Sequence, residues 1–237
     1  PSADRSIMIP EGITEAVQDT ILGVVTDRGL PEKSHASVLG ALRAPGRVLS
    51  DDQSTSFISL TLQAFRSVTS ADPMGVVPAM ASMEILLATC DVIDDVEDGD
   101  WDPGSDRRAI GMAVETASNM MMMCHLVMLQ GCDAGVSDRR VVGALKGQHL
   151  DMESEGNTDV HFAASLAITE MKSASLGRCA AEVGARRGTD DHQKIQELGD
   201  FGWHMGLSMQ LLNDVDGVWP GMCQGRREIG PGGRSKS

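Results

Sequence analysis

Apolar side chains recur at intervals of three and four along most of this chain, and alternating β-branched or aromatic runs are almost absent. That pattern belongs to helices that each bury one stripe, and it leaves little for a sheet. The spacing predicts helices over Thr14 to Arg28, Ser54 to Val68, Pro73 to Glu97, Arg107 to Leu129, Ser137 to Glu153, Val160 to Arg186 and Asp190 to Val218. Several ends carry matching chemistry: Asp72-Pro73 as cap and first turn, Gly29 and Gly131 as stops, Asp190 as a cap. With 237 residues, 41 % of them hydrophobic, the chain has enough apolar surface for one large core, and we read a single domain over 1–237. Gly99 to Ser105 and Gly217 to Ser237 break the helical pattern and read as loops, each adjoining a charged stretch.

The formal charge of −14 has the wrong sign for binding phosphate backbones, so nucleic acid is excluded as a partner class. An acidic protein that handles anionic substrates places divalent cations between its carboxylates and the substrate phosphates. Cys90, Cys124, Cys132, Cys179 and Cys223 show no CxxC spacing and read as buried thiols of a reducing cytosol. The longest apolar run, Met120 to Leu129, is too short to span a bilayer, and the reading is a cytoplasmic protein that does not span a membrane. The histidines lack metal-ligand spacing, and no Gly-rich phosphate loop or nucleophile elbow is present. Met120 to Met123 with Cys124 reads first as core, since methionine fills irregular interiors.

One segment stands out chemically. Asp91, Asp94 and Asp98 are spaced three and four apart, which puts three carboxylates on one helical face with Asp95 beside it. Like charges at that spacing repel by about 0.2–0.5 kcal/mol per pair, and Met83 to Cys90 just before them is apolar enough to be core. Carboxylates held against a core face a cavity and need a cation, and oxygen-only ligands suit Mg²⁺. A solvated acidic helix end is the alternative that the pattern alone leaves open.

Glu84 to Asp98, EILLATCDVIDDVED, resembles the first aspartate-rich motif, DDxxD, of the polyprenyl synthetase (trans-isoprenyl diphosphate synthase) family. Three further matches follow in family order. Gly147 to Asp151 resembles the GQxxD motif, Lys172 to Leu176 the KTxxL motif, and Gly206 to Asp214 the GLxxQxxDD segment. Ala44 to Arg47 and Arg226 to Lys236 are weaker versions of the family's first basic motif and closing basic segment. The resemblance runs from about Leu39 to Ser237 and stops short of the family's usual C-terminal helices.

The resemblance implies an all-α fold, a single helical bundle around a deep central cavity of the isoprenoid synthase type, as a homodimer. It implies a Mg²⁺-dependent enzyme that ionises an allylic prenyl diphosphate and couples the cation to an acceptor. On this transfer Asp94, Asp95 and Asp98 hold metal, Lys172 and Gln210 contact the allylic diphosphate, Gln148 and Asp151 support the metal site, and Asn213 and Asp214 serve the second metal cluster. Thr89 and Cys90 lie where the family uses bulk to stop chain growth, and both are small, which implies a chain of about C15–C20.

The pattern breaks in two places. The second acidic motif aligns on Asn213, Asp214 and Gly217, so two of its three carboxylates are missing. The acceptor pocket is also depleted: the basic motif aligns as Gly46-Arg47-Val48-Leu49-Ser50, and Leu87 stands at the family's histidine position. Arg47, Arg107 and Arg108 remain as candidate cations. Two enzymatic readings stay open, prenyl transfer with a rearranged acceptor pocket and a terpene synthase that cyclises or quenches the cation without isopentenyl diphosphate. A third, a non-catalytic partner subunit, is disfavoured by the intact first motif with Lys172 and Gln210.

Overall fold

The computed structural model describes residues 9–50, 56–97, 107–129, 134–154 and 161–219. Every regular element among them is helical: α1 (Glu11–Thr26), α2 (Glu32–Leu42), α3 (Ser56–Val68), α4 (Val77–Glu97), α5 (Arg107–Leu129), α6 (Ala134–Ser154), α7 (Phe162–Thr169), α8 (Ser175–Arg186) and α9 (His192–Val218). A 3₁₀ turn, Pro73–Val76, leads into α4, and a π-helical turn, Glu170–Ala174, joins α7 to α8.

The bundle is organised around α4. Apolar on all sides over its first turns, α4 buries Met80, Met83, Ile85 and Leu86 completely, which is how a helix in the centre of a bundle reads. It packs chiefly on α5, with α1 and α3 alongside, while α8 lies between α3 and α9. The α8–α9 contact is backbone-close because a Cβ on Gly177 would come within 2.3 Å of the Gly202 carbonyl oxygen. The last two turns of α4 leave the core and carry Asp91, Asp94, Asp95 and Glu97, whereas Glu84 stays buried.

The periodicity was a good guide to most elements. Arg107 to Leu129 has the boundaries read from the sequence, and Pro73 to Glu97 is helical throughout, its first four residues as the 3₁₀ turn and the rest as α4. Asp72 caps the entry to α4, its carboxylate accepting from the Met74 amide at 2.9 Å. Gly29 ends the first helical region with φ of 58°, a conformation that costs other residues a Cβ clash.

Three expectations need correction. First, α2 was not predicted: it starts after Pro31 and fully buries only Val38 and Leu42, too few periodic positions to register without the α4 and α5 surfaces it packs on. Second, Val160 to Arg186 is not one continuous α-helix, because a π turn interrupts it at Glu170–Ala174, the single-turn form in which π-helix occurs inside α-helices. Third, α9 is capped by Asp191, not Asp190: its Oδ1 accepts from the Gln193 amide at 3.0 Å and the Lys194 amide at 3.3 Å. Helix α9 also runs through Gly217, the first residue of the expected final loop. Gly131, Gly99 to Ser105 and the rest of that final loop beyond Trp219 lie outside the described residues.

Cys90, Cys124 and Cys179 are not disulfide-bonded, and the latter two are buried. Met120 and Met123 belong to the core as read, whereas Met122 is exposed. By length and composition Pro73–Glu97 and Arg107–Leu129 are apolar enough to cross a membrane. The first of these is mostly buried inside the bundle, and a core helix passes the same test.

Candidate active site

Asp91, Asp94 and Glu97 follow one another at three-residue steps along the end of α4 and so share a face. Each takes a side chain from a different part of the chain. Arg47, in the loop after α2, forms an ion pair with Asp91. Lys172, in the π turn, reaches Asp94 at 3.3 Å and also Asp151 of α6 at 3.2 Å. Gln148, on α6, donates through Nε2 to Glu97 Oε2 at 2.7 Å. The structure thereby brings together four of the residues singled out in the sequence, Asp94, Gln148, Asp151 and Lys172, from segments up to 78 positions apart.

Glu97 was missed as a functional position. The expected stripe ran through Asp98, which lies outside the described residues. The signal was present, since Glu97 stands three residues after Asp94 and continues the face that begins at Asp91.

Glycine explains why these segments can meet. A Cβ on Gly147 would lie 2.4 Å from the Lys172 amide nitrogen and 2.9 Å from its Cα, so α6 touches the backbone of the π turn itself. A Cβ on Gly206 would lie 2.6 Å from the Ser173 carbonyl oxygen, which brings α9 against the other side of the same turn. The turn is wedged between two helices at backbone distance. From it Lys172 points to α4 and α6, while Ser173 donates to Gln210 Oε1 at 2.9 Å. Gln210 in turn donates to Asp214 at 2.9 Å, one helical turn further along α9.

The electrostatics follow from this arrangement. Burial by itself lowers the affinity of Lys172 for its proton, but Asp94 and Asp151 outweigh it and hold the ammonium above its ordinary range. Burial lowers the Arg47 guanidinium, opposed by Glu84. Burial also raises the carboxyl of Glu84, against the opposing effects of Arg47 and the Val48 amide, which donates to it at 2.8 Å. Cys90 keeps part of its surface accessible yet sits deep among protein atoms; burial, followed by the Asp94 charge, pushes its thiol up to about 12.

Thr89 is fully buried, and its hydroxyl donates to the Ile85 carbonyl at 2.7 Å. Arg107 and Arg108 are exposed in the first turn of α5. Asn213 and Asp214 are exposed on α9, as is Asp95 on α4.

The chemistry of the donor set fits a hard cation. Gln148 Oε1 is buried and accepts no hydrogen bond, an uncompensated acceptor beside two carboxylate-bearing helices. The Lys172 ammonium supplies a positive charge between Asp94 and Asp151. Among the described residues no three His, Cys, Asp or Glu side chains are grouped so as to hold a metal ion by themselves. Mg²⁺ binds through one or two carboxylates, keeps waters and shares its coordination with substrate phosphates.

Comparison with known proteins places this fold in the all-α isoprenoid synthase class. A polyprenyl synthetase from Streptomyces coelicolor A3(2) superposes with a TM-score of 0.73 at 22 % identity, over 92 % of this chain and 68 % of that one. A geranylgeranyl pyrophosphate synthetase from the archaeon Geoglobus acetivorans gives 0.76 at 18 % identity, over 90 % of this chain and 71 % of that one. The family model for Polyprenyl synthetase matches residues 55–219, and the chain belongs to that family. It is 31 % identical over 175 residues to (2E,6E)-farnesyl diphosphate synthase of Mycobacterium tuberculosis, a match covering 67 % of this chain and 46 % of that protein. The chain therefore spans less than half the length of that relative.

Proposed function

We propose that the protein is a Mg²⁺-dependent isoprenoid synthase that ionises an allylic prenyl diphosphate of about C15–C20 and couples the resulting cation to an acceptor. The observation that carries this reading is the position of Lys172, bridging Asp94 and Asp151 from a turn pinned by Gly147 and Gly206. It is a cation held ready beside two carboxylates, where a diphosphate–metal pair would replace both partners.

In the reaction the allylic carbon–oxygen bond breaks with both electrons leaving on the diphosphate. Lys172 binds that departing charge through charge-assisted hydrogen bonds. Gln210 is oriented for the same group by Ser173 on one side and Asp214 on the other. Asp94, Asp95 and Asp98, with Asp151, Asn213 and Asp214 in support, would hold Mg²⁺, which would supply Lewis-acid stabilisation of the leaving group. Gln148 and Glu97 hold the end of α4 against α6. The small side chains Thr89 and Cys90, one turn before Asp94, leave room for the hydrocarbon tail, and a π bond or lone pair of the acceptor then quenches the cation with loss of a proton.

A second reading, a terpene synthase that needs no isopentenyl diphosphate, is favoured by Leu87, which packs as an apolar residue against the core. A cytosolic homodimer is the assembly consistent with the family. Diphosphate release from geranyl, farnesyl and geranylgeranyl diphosphate, each with and without isopentenyl diphosphate, tests the proposal. Release that requires Mg²⁺ and an allylic substrate is the expected result. No release from any of the three would overturn it.

A further inference from the structure

Arg47 enters the bundle from the loop after α2 with only 13 % of its side chain exposed. Two carboxylates of α4 face it. Asp91 holds it in an ion pair, and Glu84, seven residues earlier and so on the same face of the helix, acts on it from inside the core. Leu87 lies between the two and packs on the core. This group of three charged side chains has no positive charge left to offer an incoming anion. It also adjoins the candidate reaction site: Cys90 lies within the fields of Asp94, Arg47 and Lys172 together, and Asp91 is one turn from Asp94.

We propose that Asp91 is a specificity-determining residue. By keeping Arg47 occupied, it withholds that side chain from a second diphosphate, and the allylic cation is met by an acceptor that carries no phosphate. This rests on the reading of the site as one that ionises an allylic diphosphate. The physical argument is one of charge. A diphosphate leaving water needs several charge-assisted hydrogen bonds at once. Here it would have to displace Asp91 from Arg47 and then lie against the displaced carboxylate. An alkene, a hydroxyl or water meets no such obstacle. Asp91 acts through Arg47 and is a positioning residue, so its effect is on acceptor binding.

The test is calorimetric titration of the full chain with isopentenyl diphosphate. The unaltered protein is expected to bind weakly. Asp91→Asn, which removes the charge and keeps the shape, is expected to bind roughly 10- to 100-fold more tightly, the gain that one freed charge-assisted hydrogen bond gives. Asp91→Glu retains a carboxylate and is expected to bind as weakly as the unaltered protein. Arg47→Ala in the Asp91→Asn background is expected to abolish the gain. Asp91→Ser removes the same charge and serves if Asp91→Asn does not fold. Micromolar saturation of the unaltered protein, or no tightening in either charge-removing variant, would overturn the inference. Diphosphate release from geranyl, farnesyl and geranylgeranyl diphosphate, each with and without isopentenyl diphosphate, is measured alongside: release without tightening refutes the role of Asp91 only, whereas absence of release from all three refutes the proposed function.

Discussion

Replacing Gly147 with alanine tests whether the backbone contact between α6 and the π turn is what assembles the site. The added Cβ would stand 2.4 Å from the Lys172 amide nitrogen, 2.8 Å from the Met171 carbonyl carbon and 2.9 Å from the Lys172 Cα. Ordinary contacts begin near 3.4 Å, so the turn and the helix must part by about 1 Å, and no side-chain rotation can relieve a clash with backbone. Overpacking of this kind costs about 1–3 kcal/mol. Gly143, one turn earlier on the same helix, is the matched control: its added Cβ would meet the Ser175 hydroxyl at 3.3 Å, and that hydroxyl can rotate away. Both changes carry the same intrinsic gain of about 1 kcal/mol from replacing glycine by alanine in a helix, so the difference between them isolates the clash. Denaturant unfolding should therefore place Gly147→Ala about 1–3 kcal/mol below Gly143→Ala. Moving Lys172 away from Asp94 and Asp151 should also raise the Michaelis constant for the allylic diphosphate in Gly147→Ala alone. Equal stability and equal substrate affinity in the two variants would refute the claim that this contact sets the position of Lys172.

Lys172→Ala should weaken allylic diphosphate binding by about 1.5–3 kcal/mol, the value of a charged hydrogen bond; unchanged kinetics would show that Lys172 serves only its two ion pairs. Asp95→Ala should abolish Mg²⁺-dependent diphosphate release while circular dichroism stays helical, and undiminished release would remove Asp95 from the metal set. Cys90, with its thiol pushed up to about 12, should resist alkylation at pH 8 by on the order of a hundredfold relative to the unfolded chain, because a far smaller thiolate fraction outweighs its greater intrinsic nucleophilicity; peptide mapping that finds Cys90 modified as fast as in denaturant would contradict this. The same shift has a sign for stability. Between its ordinary 9.0 and about 12, the unfolded chain has lost the proton that the folded one keeps, so Cys90 contributes a decline of at most about 1.4 kcal/mol per pH unit as pH rises through that window, and Cys90→Ala should flatten it.

The sequence by itself determined the helical class, because an apolar period of three to four residues is a property of the chain that any amphipathic helix must show. It determined the C-terminal end of α4 and the whole of α5 for the same reason, and it marked Asp94, Gln148, Asp151 and Lys172 through ordered motifs. Tertiary structure decided what periodicity cannot carry. Helix α2 exists on the strength of the surfaces it packs against, since Val38 and Leu42 alone do not make a stripe. The π turn at Glu170–Ala174 is seen only in the structure, where Gly147 and Gly206 approach its backbone. The pairing of Gln148 with Glu97, 51 positions away, and of Arg47 with Asp91, 44 positions away, likewise belongs to the fold. Helical spacing specifies which side chains share one face of one helix; which residue from a distant segment reaches that face depends on how closely backbones can approach, and that is settled only when the helices pack.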